Sequence, residues 1–247
     1  MHLNQVSSTT LFRLFVEEGN SEAISLFFQN QSDLFYRVAF KYTKNSADAE
    51  DVLQAAFIRI STKAHQYKGL HTDEEKLLQS WCLSIVVNCA LKKNQAESNR
   101  KKKESHYLTS KLFHEEKNMA ANLDNEVVFQ KVQKAIIQLP EKFRIPIHLK
   151  YIEGFELDAI ANILKLNANT LRTNIKRGLE KISEDLKNDN VTLSSVSLIG
   201  VIESLPLEQA PLSIKNFATK NFNAASSSRR LMTNGSGKTF LNTFALY

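Results

Sequence analysis

The chain is poor in the residues that punctuate β-rich and irregular folds, with seven glycines and four prolines in 247 residues. Tight hairpins need Gly, Asn or Asp at fixed turn positions, so hairpin candidates are few and helices are favoured. Cysteine is scarcer still, at two. Cys82 and Cys89 stand about 10 Å apart along one helix, too far to bridge each other. They read as small buried apolar side chains of a reducing compartment. The six histidines are scattered, and no Cys/His group has metal-ligand spacing. No G-x-S-x-G nucleophile turn occurs. GSGKT at 235–239 has Met232 where a phosphate loop requires its first glycine, no strand before it and no room for a helix after it. No catalytic residue, metal or cofactor is therefore expected. No apolar run approaches the roughly 18 residues that span a bilayer. The cluster from Leu11 to Val16 is interrupted by Arg13 and followed by Glu17 and Glu18, too short for a signal segment. A cytoplasmic protein without membrane contact is expected.

What is present is globular: 43% hydrophobic, 23% charged, with a net charge of +6. That balance suits a polyanionic partner. The most informative stretch runs from Leu139 to Ile182. Gly154 breaks it, and two short helices joined by a tight turn follow. Leu157, Ile160, Ala161 and Leu164 form one apolar stripe. Lys165, Leu166 and Asn167 make the turn, with Asn167 placed to cap the next helix. In that helix Leu171, Ile175, Leu179 and Ile182 share the buried side, and Asn169, Arg172, Thr173 and Lys176 share the other. Such a front can enter a major groove. Equally, it can be the solvated face of an ordinary helical hairpin. Pro146 lies in the preceding helical pattern, so that helix either starts near Arg144 or carries a small kink.

Upstream, residues 10–43 show helical patterns whose aromatics read as core, with Ser21 as a candidate cap. Asn45 and Ser46 open a helix with a wide apolar face, Ala49, Val52, Leu53, Ala56, Phe57 and Ile60. Its first turn carries Asp48, Glu50 and Asp51, which complement the helix dipole. Its outer side is a mixed strip of Asp51, Gln54, Ala55 and Ile58. Residues 62–76 form a polar loop that includes His65, Gln66, Tyr67 and His71. The next helix packs Trp81, Cys82, Ile85, Val86 and Cys89 inward and ends in Lys92, Lys93 and the basic run 100–103. A basic helix end is either simply solvated or rests on phosphates. Residues 99–123 lose periodicity. Asp124 or Asn125 is the expected cap of a helix carrying Val127, Val128, Val132 and Ile136.

LPEKFR at 139–144, YIEG at 151–154, the IA-x-IL-x-L pattern, Thr170 and Arg177 together resemble region 4 of bacterial RNA polymerase sigma factors of the extracytoplasmic-function (ECF) type. Asp48-Ala49-Glu50-Asp51, Gln54 and Phe57 resemble sigma region 2.2, and Trp81, Ile85 and Asn88 resemble region 2.4. The two resemblances occur in the family's order. They imply an all-α protein with a region 2 bundle at 8–98 and a region 4 helix-turn-helix at 124–187. A flexible linker at 99–123 joins them, and a weakly ordered C-terminal extension follows at 188–247. They also imply partners: the polymerase core, through its β′ clamp helices and β flap, and promoter DNA. An anti-sigma factor is a further partner that the family admits.

By the same resemblance, core contacts fall to Asp48, Asp51, Gln54 and Ile58. Contacts to the −10 element fall to His65, Gln66, Tyr67, Asn88, Lys92 and Lys93. Contacts to the −35 element fall to Asn169, Thr170, Arg172, Thr173, Lys176 and Arg177. The chain departs from the family pattern at Ala55, Ser84, Val87, Lys92, Ala159, Lys165 and Asn174. Three readings compete. A sigma factor accounts for both motifs. A stand-alone helix-turn-helix regulator accounts for 139–182 but not for the Asp48 stretch or the basic Trp81 helix. A sigma-like decoy would be regulated through its tail. The extension is expected to hold short helices within VTLSSVSLIGVIESL and PLSIKNFATKNF, as a regulatory segment or a plain tail.

Overall fold

The computed structural model describes residues 6–104 and 123–217, and within them every regular element is a helix. The first lobe comprises α1 (Ser8–Glu18), α2 (Ser21–Thr43), α3 (Ser46–Lys63), a 3-10 turn at Ala64–Gln66 and the long α4 (Glu75–Glu104). The second comprises α5 (Leu123–Gln138), α6 (Glu141–Ile147), a π turn at His148–Ile152, α7 (Leu157–Leu164) and α8 (Ala168–Asn188). The short α9 (Ser195–Glu203) follows in the extension.

Caps set these boundaries. Asn45 Oδ1 accepts the Asp48 N–H at 3.1 Å, and Asn167 Oδ1 accepts the Thr170 N–H at 2.7 Å, so both expected starts hold. At α2 the cap is Asn20 rather than Ser21. Its Oδ1 accepts the Ala23 N–H at 3.0 Å, and Ser21 becomes the first helical residue. α5 opens at Leu123, so Asp124 and Asn125 lie inside its first turn instead of ahead of it. α4 stays helical to Glu104, into the stretch read as linker. The rest of that stretch, the 235–239 motif and the end of PLSIKNFATKNF from Ala218 lie outside the described residues, although 212–217 is helical.

The helix with Pro146 does not start late, and a π turn follows it. α6 begins at Glu141, and Pro146 sits near its end. Proline lacks the N–H for the i−4 bond and crowds that carbonyl. The backbone widens, and Glu153 N–H bonds His148 O at 3.0 Å, a π spacing. Gly154, at φ +67°, then reverses the chain without a Cβ penalty. α8 approaches α6 closely at Gly178, where an added Cβ would stand 2.5 Å from Ile147 Cδ1.

Aromatic rings fill the first lobe. Phe12 meets Phe27, Tyr67 and Trp81 edge-on at 5.1, 5.7 and 5.9 Å, a preferred arrangement of ring quadrupoles. The helix-turn-helix does not stand apart from that core. Phe155, Ile160, Ile163, Leu171 and Ile175 belong to the same continuous apolar cluster as the α1–α4 residues. A second cluster, built on Val132, Ile136, Phe143, Ile147, Ile182 and Leu186, joins α5, α6 and α8 to α9.

Candidate polymerase and promoter interfaces

The second helix of the helix-turn-helix, α8, splits by face as its periodicity requires. Leu171, Ile175, Gly178, Ile182 and Leu186 are buried. Asn169, Thr170, Arg172, Thr173, Lys176 and Arg177 are all exposed. Thr173 Oγ1 donates to Asn169 O at 2.8 Å, and Lys176 lies a loose 3.9 Å from Glu180. The row therefore offers the Thr170 hydroxyl, the Asn169 amide and three cations to solvent on one side of a rigid rod. Its entry turn depends on Lys165, which adopts a left-handed φ of 54°.

The strip on α3 is only partly exposed and is already paired. Lys93 Nζ, from α4, lies 2.9 Å from Asp48 and 2.8 Å from Asp51. The Asp51 bond and then the Asp48 bond raise the lysine's pKa. Lys93 thus completes the acidic strip in place of presenting a bare cation beside Lys92, which is exposed. Gln54 is half-buried, and Ile58 is 45% exposed at the C-terminal end of the strip.

The six residues assigned to the −10 element do not form one surface. His65 and Gln66 are exposed on the 3-10 turn. Tyr67 is not. Its ring packs against Phe12 and lies 5.4 Å from Trp81, and Gly69 leaves room for its hydroxyl, since a Cβ there would stand 2.5 Å from it. Burial raises the Tyr67 pKa. This side chain anchors the loop to the core. Asn88 is half-buried and donates to Ser84 O at 2.6 Å.

The sequence did not reveal the junction between the lobes. Arg37 on α2 grips Glu153 beyond the π turn with Nε at 2.6 Å and Nη2 at 2.8 Å. Burial alone would raise the Glu153 pKa. The bonds from Arg37 and from His148 outweigh burial and hold it at about 2. His148, 3.1 Å from the same carboxylate, is fully buried, and burial lowers its pKa. Arg144 closes two helix ends at once. Nε and Nη2 donate to Lys41 O at 3.0 and 2.8 Å, and Nη1 donates to Leu139 O at 2.6 Å. Carbonyls at helix ends lack intrahelical partners and carry the negative end of the dipole. Lys76 donates to Glu153 O at 2.8 Å, and Asn94 donates to Tyr42 O and, more weakly, to Glu141. Lys76 and Asn94 are about five full turns apart on α4, so one face of the helix lies against the second lobe.

Comparison with known proteins agrees with this architecture. The Sigma-70 region 2 family model matches residues 27–96, and the Sigma-70 region 4 model matches 129–182. Together they take in half of the chain, so it belongs to the sigma-70 family, in the ECF branch. It is similar to the ECF RNA polymerase sigma factor SigW of Bacillus subtilis (strain 168), 26% identical over 190 residues, covering 70% of this chain and 94% of the relative. It is also similar to the ECF RNA polymerase sigma-E factor of Escherichia coli (strain K12), 24% identical over 183 residues, with coverages of 70% and 91%. A solved structure of the sigma factor RpoE with the anti-sigma factor NepR from Bartonella quintana matches at 18% identity. Its TM-score is 0.48, over 63% of this chain and 91% of that one. The chain is an RNA polymerase sigma factor for promoter-specific initiation, and the stand-alone regulator is not favoured. Among the described residues no cluster could hold a metal ion, and no helix is long and apolar enough to cross a membrane.

Proposed function

We propose that this cytoplasmic initiation factor divides its work between residues 8–98 and 124–187. The acidic strip of Asp48, Asp51, Gln54 and Ile58 docks on the polymerase core. His65 and Gln66, with Asn88 and Lys92, meet the −10 element. The exposed row on α8 reads the −35 element, with Arg172 and Lys176 suited to guanine edges or phosphates. Polymerase makes the bonds, while this chain selects where they begin. The observation that carries this reading is the α8 row, six polar residues all exposed on a capped helix whose other side is core.

The test is reconstitution of the full chain with core polymerase and fragmented genomic DNA, mapping the 5′ ends of the transcripts. A shared pair of sequence elements upstream of those ends is expected. Specific DNA binding without retention on the core would overturn the assignment in favour of a stand-alone regulator.

A further inference from the structure

Residues 188–217 lie beyond both family matches, and the two ends of this segment are anchored on different lobes. On the second lobe, Leu198, Ile202 and Leu205 are buried with Val132, Ile136 and Leu186. On the first, Glu208 carboxylate oxygens lie 2.6 and 2.9 Å from Lys41 Nζ. Arg37, already bound to Glu153, reaches the Glu208 carbonyl at 3.4 Å. Asp33 accepts the Ala210 N–H at 2.8 Å and pairs with Lys215 at 3.0 Å. Ser213 donates to Glu50 at 2.7 Å. Ile214 and Phe217 pack against the apolar face of α2 and α3, closing a small cavity with Phe28, Phe35, Leu53 and Phe57, and Phe217 is edge-on to Phe57 at 5.5 Å.

We propose that residues 205–217 are a clasp, an intramolecular inhibitor that holds regions 2 and 4 together and must release before both are used. This inference rests on the sigma reading above. Elements at −10 and −35 lie roughly 25 bp apart, about 85 Å of straight duplex. A compact body of about 200 residues has a radius of gyration near 16 Å and measures about 40 Å across. The clasped form therefore cannot lay its two lobes on both elements. The clasp also reaches Glu50 through Ser213, beside the Asp51 strip. Apparent affinity for any partner that needs the lobes apart falls by the fraction of molecules that are open.

The test uses the full chain, with core polymerase as the probe and a fluorescent pair reporting the separation of the lobes. Glu208→Lys sets two cations face to face at Lys41. Ile214→Asp is the second variant, placing a charge against that apolar face. Each should bind core at least tenfold more tightly than wild type and lose energy transfer, with helical content unchanged. Lys41→Glu combined with Glu208→Lys should restore both properties. Wild-type affinity and transfer in both folded variants would overturn the clasp and leave the sigma reading standing. Weaker core binding would make the segment a polymerase contact and overturn its inhibitory role. If no form binds core, the sigma reading falls, and unchanged transfer in the same samples would remove the clasp as well.

Discussion

Arg37→Met should shift the balance between closed and open lobes toward open, against the apolar core they share. The substitution keeps an apolar stem in α2 and removes the guanidinium that holds Glu153. The two side chains are 11% and 4% exposed, and breaking a buried pair from one side costs about 3–5 kcal/mol because a charge is left unpaired. The Glu153 pKa offers a second measure. A value of about 2 against an ordinary 4.5 corresponds to about 3 kcal/mol at neutral pH, at 1.36 kcal/mol per unit. His148 contributes part of that, so a loss of about 3 kcal/mol, or roughly a hundredfold in the closed-to-open ratio, is the expected size. Dyes on Glu18→Cys and Lys181→Cys report the separation, since Cys82 and Cys89 are 0% and 4% exposed and resist labelling. Energy transfer should fall in the variant. A depressed carboxylate pKa contributes stability above the free value and loses it as pH falls through the bound value. Wild type should therefore open as pH drops from about 4.5 toward 2, whereas the variant should lack that step. Unchanged transfer with a lowered melting temperature would refute the reasoning, because Glu153 would then serve the fold and not a separable junction.

Asp51→Arg should weaken core binding at least tenfold while −35 duplex affinity is retained, since the new cation faces Lys93 and reverses the strip; equal loss in both assays would merge the two surfaces. Arg172→Ala should cost about 1–3 kcal/mol on the preferred duplex and relax one base position if the guanidinium reads a base, whereas a phosphate contact would lower the salt slope by about one. Lys165→Gly should raise stability by about 0.5–1 kcal/mol, because a left-handed residue with a Cβ costs about 1–2 kcal/mol and glycine returns part of that as chain entropy. Thermal unfolding checks it, and a lowered melting temperature would count against the strain at this turn.

Helix periods and the two motifs are local properties, and local chemistry was enough to read them, although Ser21 and the Asp124 or Asn125 pair, expected as caps, lie inside α2 and α5. Asn45 and Asn167 cap because an amide oxygen ahead of a helix meets unpaired N–H groups whatever lies elsewhere. The α8 face was legible because apolar spacing states which side is buried. The same spacing is silent on what covers that side. Tyr67 has the chemistry of a stacking residue, and only the Phe12 and Trp81 rings around it decide that it is core. Lys93 has the chemistry of a phosphate contact, and only α3 alongside it makes it the partner of two carboxylates. Arg37 with Glu153, Arg144 with the end of α2, and Glu208 with Lys41 join positions more than one hundred residues apart. No period or motif relates such pairs, because their meeting depends on how whole helices pack. The sequence by itself determined a helical sigma factor with two working regions. Tertiary packing alone decided that those regions meet face to face and that the segment after them ties the two together.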